Sequence, residues 1–139
     1  MNLVEVKTAE LIGPALDWMV AKGVGVVPKD QQLEYITPNH ARPGDVIKID
    51  KITIAEPGKL EYQFSPSTDW SQGGPLIERE RIGLWPTSNG YFAEKRHFGR
   101  HHKAGRSYGE GPTPLVAAMR CLVASKLGDT VQVPKELLP

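Results

Sequence analysis

The segment from Thr113 to Gly128 constrains the fold more than any other part of the sequence. Thr113 is a good N-cap, Pro114 a good first helical residue and Gly128 a good stop, so the pattern predicts a helix over 114–127. One face of this helix is apolar, and the far face carries small residues, namely Ala117, Ala118, Cys121, Ala124 and Ser125. Small side chains let a second surface approach closely. We therefore expect cover on both sides, from the same chain or from a second copy.

A second main helix is predicted over 14–22. Pro14 suits the first helical position and Gly23 suits the end, and the apolar residues between them recur at helical spacing, at Leu16, Met19 and Val20. Trp18 lies off this stripe, so we expect another element or a subunit contact to cover it.

The remaining pattern predicts strands, one short helix and turns. Residues 46–54 and 60–64 flank a turn signal, and residues 82–85 and 91–98 flank Asn89-Gly90, which indicates two hairpins. Gly74-Pro75 predicts the start of a short helix over 75–81. Residues 99–112 are predicted to be a loop, and 129–134 a short strand or extended tail. The fold class is therefore α+β, an antiparallel sheet of two hairpins packed with the helices 14–22, 75–81 and 114–127.

Size and composition favour one cytoplasmic domain over residues 1–139. The length of 139 residues is close to the commonest domain size, and 40% hydrophobic with 24% charged residues is ordinary globular composition. The single cysteine excludes an internal disulfide framework and fits a reducing compartment. No apolar run resembles a signal peptide or approaches the ~20 residues that span a bilayer. We expect no membrane association.

Three segments share a distinctive pattern. They comprise Lys7–Leu11 with Gly13 and Ala15–Trp18, then Phe64–Glu80, and then Tyr108, Gly111–Arg120 and Ala124–Asp129. In these segments the chain resembles the NinX-like family of small tailed-phage and prophage proteins, whereas residues 24–60 and 95–106 depart from the family pattern. The resemblance implies a phage or prophage gene expressed inside a bacterial host and a small phage α-β sandwich domain. It implies no particular activity, cofactor or catalytic residue.

A run of polar residues in the middle segment is the first candidate site. It contains hydroxyls, a carboxylate, an amide and an aromatic ring, at Ser67, Thr68, Asp69, Trp70 and Gln72. Backbone amides at a helix start beside them could hold an anion or a small polar ligand. The alternative is local capping, in which these side chains bond to nearby backbone and fix tight turns.

A basic stretch over 95–106 is the second candidate site. Arg96, Arg100, Lys103 and Arg106 could neutralise phosphates, while Phe98 or Tyr108 could stack on a base. Residues 1–94 carry nine basic and 13 acidic side chains, a net charge of −4, whereas residues 95–139 carry eight basic and three acidic ones, a net charge of +5. The alternatives are a mobile solvated loop, or a loop that pairs with the acidic N-terminal part of the chain.

The sequence carries no catalytic or metal-binding signature. Cys121 lies in a predicted helix among alanines and is interpreted as a packing residue. His97 and His101 would share a helix face, but Gly99 argues against a helix there. Glu78 and Glu80 are interpreted as a solvated or salt-bridged surface. We expect no metal and no cofactor, and the pattern favours a non-enzymatic protein without excluding an enzyme.

Three functional hypotheses follow. The first is a phage accessory protein that does not catalyse a reaction, forms a homo-oligomer and binds a host or phage protein, or a small ligand, in the bacterial cytoplasm. The second is a nucleic-acid-binding protein that uses 95–106. The third is a small-ligand-binding protein or small enzyme that uses 67–72.

Overall fold

The computed structural model describes residues 2–25, 52–54, 62–97 and 105–139, and these form an α+β fold, as predicted. The helices are α1 (Gly13–Val24), α2 (Trp70–Arg79) and α3 (Pro114–Leu127). The strands are β1 (Leu3–Lys7), β2 (Ile52–Ile54), β3 (Tyr62–Phe64), β4 (Gly83–Thr87), β5 (Gly90–His97), β6 (Gly105–Gly111) and β7 (Thr130–Pro134). Short 3₁₀ turns cover Thr8–Glu10 and Lys135–Leu137. None of the described helices is both long and apolar enough to cross a membrane.

Helix α3 lies at the centre of the core and is covered on both sides by its own chain. Helix α1 packs on one side, and strands β5 and β6 pack on the other. Ala117, Ala118 and Cys121 on the small face are fully buried. A Cβ on Gly109 of β6 would lie 2.5 Å from the backbone nitrogen of Cys121, so the strand rests directly on the helix. This face offers no room for a second copy, and the expected homo-oligomer would need another surface.

Both predicted hairpins form where the structure describes them. Strand β2 pairs antiparallel with β3, and β4 pairs antiparallel with β5 across a two-residue turn. The predicted residues 46–51, 60–61 and 98 lie outside the described residues. Trp18 is only 4% exposed, so other elements of the same chain cover it.

The prediction of one sheet made from two hairpins is wrong for the described strands. They form three antiparallel sheets, with the strand orders β1-β7, β2-β3 and β4-β5-β6. Residues 105–111, predicted as loop, form β6, which pairs with β5 from Tyr91↔Gly111 to His97↔Gly105. The glycines of this segment suggested a loop, but Gly109 and Gly111 lie in a strand that packs closely on α3. A Cβ at either position would clash with the helix. Residues 99–104 of that prediction lie outside the described residues.

The two ends of the chain pair with each other. A short strand or an extended tail was predicted over 129–134, and residues 130–134 form the strand β7. This strand pairs antiparallel with β1. The Thr8 hydroxyl donates to the Gly128 carbonyl at 2.6 Å, and the Thr8 amide donates to Asp129 at 2.8 Å. These bonds connect the start of the chain to the end of α3.

Helix α2 begins earlier than predicted. It starts at Trp70, after the N-cap Asp69, and Pro75 lies inside it rather than at its start. Gly74-Pro75 suggested the later start, but Gly73 lies inside the helix, where a Cβ would clash with the Pro66 carbonyl and with Leu115. The helix ends at Arg79, not at residue 81, in a left-handed turn at Arg81.

An ion-pair cluster joins the end of α2 to β5 and α3. The Glu80 carboxylate lies 2.8 Å from Lys126 Nζ and 3.4 Å from Lys95 Nζ. Burial alone would raise the pKa of Glu80, but the two lysines outweigh burial and lower it below its usual value. The salt-bridged interpretation of this carboxylate is thus confirmed.

Candidate functional site

The three segments that carry the family resemblance meet at one groove of about 420 Å³. The first segment contributes Gly13, the second contributes Ser67, Thr68 and Trp70, and the third contributes Pro112–Val116. Of the described lining residues, only Ile12 lies outside the family pattern, between two parts of the first segment. For brevity we call it the motif groove.

The first residues of all three α-helices lie at the motif groove. Helix α1 begins at Gly13, and no side chain caps the amides of its first turn. Helix α2 begins at Trp70, and α3 begins at Pro114 after its N-cap Thr113. Each helix N-terminus carries a partial positive charge. However, the Asp69 carboxylate caps α2, the Thr113 hydroxyl caps α3, and Pro14 and Pro114 have no amide proton, so few free donors face the groove.

Ser67 connects the groove wall to a buried carboxylate. Its amide donates to Asp17 Oδ1 at 2.9 Å across 50 residues of sequence. Asp17 is only 5% exposed, and this burial raises its pKa from 3.8 to about 6, although the Ser67 amide and the nearby Ser67 hydroxyl lower it in part. That hydroxyl therefore lies beside the Asp17 carboxylate and stabilises its charged form. Ser67 is 2% exposed, so its hydroxyl lies behind the groove wall with Asp17.

The rest of the groove is mostly apolar. Trp70 is 55% exposed and lies at the rim, with Ile12, Pro112 and Leu115 among the other lining residues. Apolar walls with a few polar groups are typical of small-ligand sites, which commonly measure roughly 300–1,000 Å³.

Asp69 and Gln72 support the loop rather than the groove. Asp69 Oδ1 accepts from the Ser71 amide at 2.9 Å and from the Ser71 hydroxyl at 2.6 Å. Gln72 accepts from the Ser65 amide at 2.6 Å and donates to the Gln63 carbonyl at 2.7 Å. Of the five predicted residues, Ser67, Thr68 and Trp70 thus line the groove, while these two hold the surrounding turn in place.

Two residues of the predicted basic site lie side by side. Arg96 on β5 and Arg106 on β6 are directly opposite in the strand register, and both pair with Glu94 Oε1, at 3.6 Å and 3.3 Å. Arg100 and Lys103 lie outside the described residues. Placing two like charges opposite each other is unfavourable unless a counterion separates them, and Glu94 is that counterion here.

A row of aromatic rings crosses the face of the β4-β5-β6 sheet that α3 leaves uncovered. The ring centroids of Trp85 and Phe92 are 6.1 Å apart, and those of Phe92 and Tyr108 are 5.5 Å apart. Trp85 is 49% exposed and Tyr108 is 51% exposed. We call these three residues the aromatic row. Neither Trp85 nor Phe92 was singled out from the sequence.

Cys121 is confirmed as a packing residue. Its side chain is fully buried, its Sγ donates to the Ser107 carbonyl at 3.4 Å, and burial raises its pKa to about 11. A protonated, inaccessible thiol is a poor nucleophile. The described residues also contain no group of three or more histidine, cysteine or acidic side chains that could hold a metal ion.

Sequence reasoning missed two charged residues, one behind the motif groove and one beside two other clefts. Asp17 is one, although a single carboxylate between Leu16 and Trp18 in a largely apolar helix was a usable signal. Arg120 is the other. Its guanidinium donates to the Leu11 and Glu110 carbonyls, both at 2.8 Å, and borders two clefts of about 400 and 370 Å³. Its partners are 109 and 10 residues away in sequence, so no local pattern could have identified them.

The comparison with protein families agrees with the resemblance found in the sequence. The family model described as "Bacteriophage P22, NinX" matches residues 7–126, a span that includes every residue lining the motif groove. No curated protein matches the chain.

Proposed function

The chain belongs to the bacteriophage P22 NinX family, and from that premise we propose that it is a phage accessory protein that binds a small molecule in the motif groove. The observation that carries the proposal is a groove of about 420 Å³ whose mostly apolar wall is built from the three family segments and has the exposed Trp70 indole at its rim. Small-molecule sites are typically concave and largely apolar with a few polar groups, and the lining of the motif groove has that character.

Binding fits the groove better than catalysis does. The described lining residues include no titratable side chain, and general acid–base chemistry needs one within hydrogen-bond reach of the substrate. Asp17 lies behind Ser67 with its Oδ1 occupied by the Ser67 amide, so it acts on the position of that residue.

Amide NMR with two tryptophan variants tests this proposal. The ¹⁵N-labelled full chain is mixed with a small-molecule extract of the bacterial host, and shifts are expected at the amides of Ser67, Trp70 and Leu115. Trp70→Ala should abolish these shifts. Trp85→Ala is the matched control, because Trp85 is nearly as exposed but belongs to the aromatic row, and it should leave them unchanged. Shifts that survive in Trp70→Ala, or none in the wild type, would refute the motif groove as the site.

The aromatic row supports a second candidate function, the binding of single-stranded nucleic acid. Exposed rings on a sheet can stack on successive bases, and Arg96 and Arg106 lie on the two neighbouring strands β5 and β6. Binding of an oligonucleotide should weaken steeply with salt, and should be lost in Trp85→Ala and in the Arg96→Ala, Arg106→Ala double variant. If those variants bind as the wild type does, this candidate is wrong.

A further inference from the structure

The face of the β4-β5-β6 sheet that α3 leaves uncovered carries opposite charges at its two ends and the aromatic row between them. We propose that this face binds the same face of a second copy of the chain, in a twofold-symmetric dimer whose facing strands run antiparallel. The proposal does not rest on the motif groove, whose lining shares no residue with this face. We call the surface the open face, and it consists of the aromatic row together with four charged side chains, namely Glu94, Arg96, Arg106 and Glu110.

The strand register shows which side chains lie on the open face. Successive side chains of a strand point to opposite faces of its sheet. Ala93 and Gly109 are opposite each other in the register and buried, and Gly109 lies against the backbone of α3. Alternate residues that start from their immediate neighbours therefore point away from α3. On β6 these are the exposed residues Arg106, Tyr108 and Glu110, which follow one another along the open face.

The charges of the open face lie at its two ends. Three rows of side chains cross β5 and β6, in the order Arg96 with Arg106, Glu94 with Tyr108, and Phe92 with Glu110. Glu94 pairs with both arginines and its side chain is only 14% exposed, so the first row keeps a net positive charge at the surface. Glu110 makes the last row negative. The two arginines and two glutamates sum to zero, which suits a copy of this face better than a polyanion.

A twofold axis that runs across the strands, through the middle row, brings the opposite charges together. Rotation about this axis reverses the strand direction and places each strand over its own counterpart. Glu110 then lies over Arg106 of the second copy, and the Phe92 ring lies over Arg96 of the second copy in a cation–π arrangement. Symmetry makes each contact twice, and Glu94 at the axis is already compensated by the two arginines of its own chain. The open face is thus complementary to itself in charge.

The aromatic row supplies the apolar centre of this interface. A Cβ on Gly83 would lie 2.7 Å from Cη2 of Trp85, so the indole folds down over the glycine and lies against the sheet. Trp85 is nevertheless 49% exposed, and Tyr108 is 51% exposed. Rings that are already held against a sheet lose little side-chain freedom on association, and tryptophan and tyrosine are enriched at the centres of protein interfaces.

Sedimentation velocity of the untagged full chain, at concentrations from about 1 μM to about 1 mM, tests the dimer. The wild type is expected to change from monomer to dimer within this range, and Trp85→Ala is expected to remain monomeric. Trp70→Ala is the matched control, because its indole is similarly exposed but lies at the rim of the motif groove, and it should dimerise as the wild type does. A wild type that is monomeric throughout the range, or a Trp85→Ala protein that dimerises as tightly, would overturn the proposal.

Charge reversal tests the orientation of the two copies without touching the aromatic row. Glu110→Arg and Arg106→Glu each place like charges over one another, and each should weaken dimerisation about tenfold or more. The double variant restores opposite charges and should recover most of the affinity. The two residues are four positions, about 14 Å, apart on one strand, so they cannot pair within a chain, and loss of the Arg106 pair to Glu94 would not be rescued by Glu110→Arg. A double variant no tighter than either single variant would refute the antiparallel arrangement.

A single-stranded oligonucleotide competes with the second copy for the open face, and the same proteins distinguish the two occupants. A dimer that buries the aromatic row is expected to keep its sedimentation coefficient when an oligonucleotide is added at physiological salt. A monomeric wild type that binds the oligonucleotide, with binding lost in Trp85→Ala, would assign the open face to nucleic acid and overturn the dimer.

Discussion

Asp17 shows how one buried residue makes the stability of this fold depend on pH. Its carboxyl group is nearly inaccessible and lacks a cationic partner in the described structure, so its pKa is raised from 3.8 to about 6. The native state therefore holds this proton more tightly than the unfolded chain does. Its destabilising effect is absent below pH 3.8, grows as pH rises toward 6 and is complete above it.

Replacement of Asp17 by Asn tests this assignment. Asparagine keeps an oxygen that can accept from the Ser67 amide but does not ionise, so Asp17→Asn should be more stable than the wild type at pH 7.5, by up to about 3 kcal/mol. The difference should shrink toward pH 4. Urea unfolding at several pH values between 4 and 7.5 measures it. A constant difference across this range would contradict the raised pKa.

At the scale of single elements, the packing of α2 requires glycine at residue 73, and the adjacent Gly74 provides a matched control for substitution. A Cβ on Gly73 would clash with the Pro66 carbonyl and lie 2.6 Å from Leu115 Cδ2, whereas a Cβ on Gly74 would meet only the Trp70 ring at 4.0 Å. Gly73→Ala should therefore lower the free energy of unfolding by about 1–3 kcal/mol. Gly74→Ala should raise it by about 0.5–1 kcal/mol through helix propensity. Similar effects from both in chemical denaturation would contradict the close approach of α2 to Pro66.

The C-terminal end of α2 carries a residue in an unfavourable backbone conformation. Arg81 has φ of 53°, and the Ile82 amide bonds back to the Ile77 carbonyl while the Arg81 amide bonds to Glu78, the Schellman pattern. Glycine adopts this conformation without strain, so Arg81→Gly should raise the melting temperature, with a gain of about 1 kcal/mol. Arg79→Gly, at the last helical residue, should instead lower it, with a loss of up to about 1 kcal/mol. A loss of stability in Arg81→Gly would contradict the motif.

The Glu80 cluster joins α2, β5 and α3, so its loss should lower the free energy of unfolding of the whole domain. Glu80→Gln removes the ion pairs to Lys126 and Lys95 and should cost about 1–3 kcal/mol at pH 7. Because the native pKa of Glu80 is lowered, its contribution is present above the usual pKa of 4.5 and is lost as pH falls below it. Exposed Glu78→Gln is the control and should be neutral in thermal unfolding. Equal stability of both variants would contradict the cluster.

Local signals in the sequence predicted the elements that depend on local chemistry. Thr113, Pro114 and Gly128 define α3, and Asn89-Gly90 marks the β4–β5 turn region. Strand β6 was missed because its glycines are required by contact with α3, which only the folded chain reveals. Only part of the motif groove could be predicted, because tertiary packing brings its remaining residues together. Ser67, Thr68 and Trp70 stood out locally, whereas Ile12 and Thr113 join them only through tertiary packing.

At the scale of the whole molecule, the three segments that identify the family also build the motif groove. They are separated by tens of residues in sequence, and the packing of α1 and α2 against α3 brings their helix starts together. The candidate basic site behaves differently, because its described members Arg96 and Arg106 lie on strands β5 and β6 and do not line the motif groove. The central claim is therefore that the motif groove binds a small molecule.

Native mass spectrometry of gently purified, untagged protein tests that claim most directly. The wild type and Trp85→Ala are expected to retain the mass of one small molecule per chain, and Trp70→Ala is expected to lose it. A bare wild-type chain after exposure to host extract, or a ligand that Trp70→Ala retains, would contradict the account.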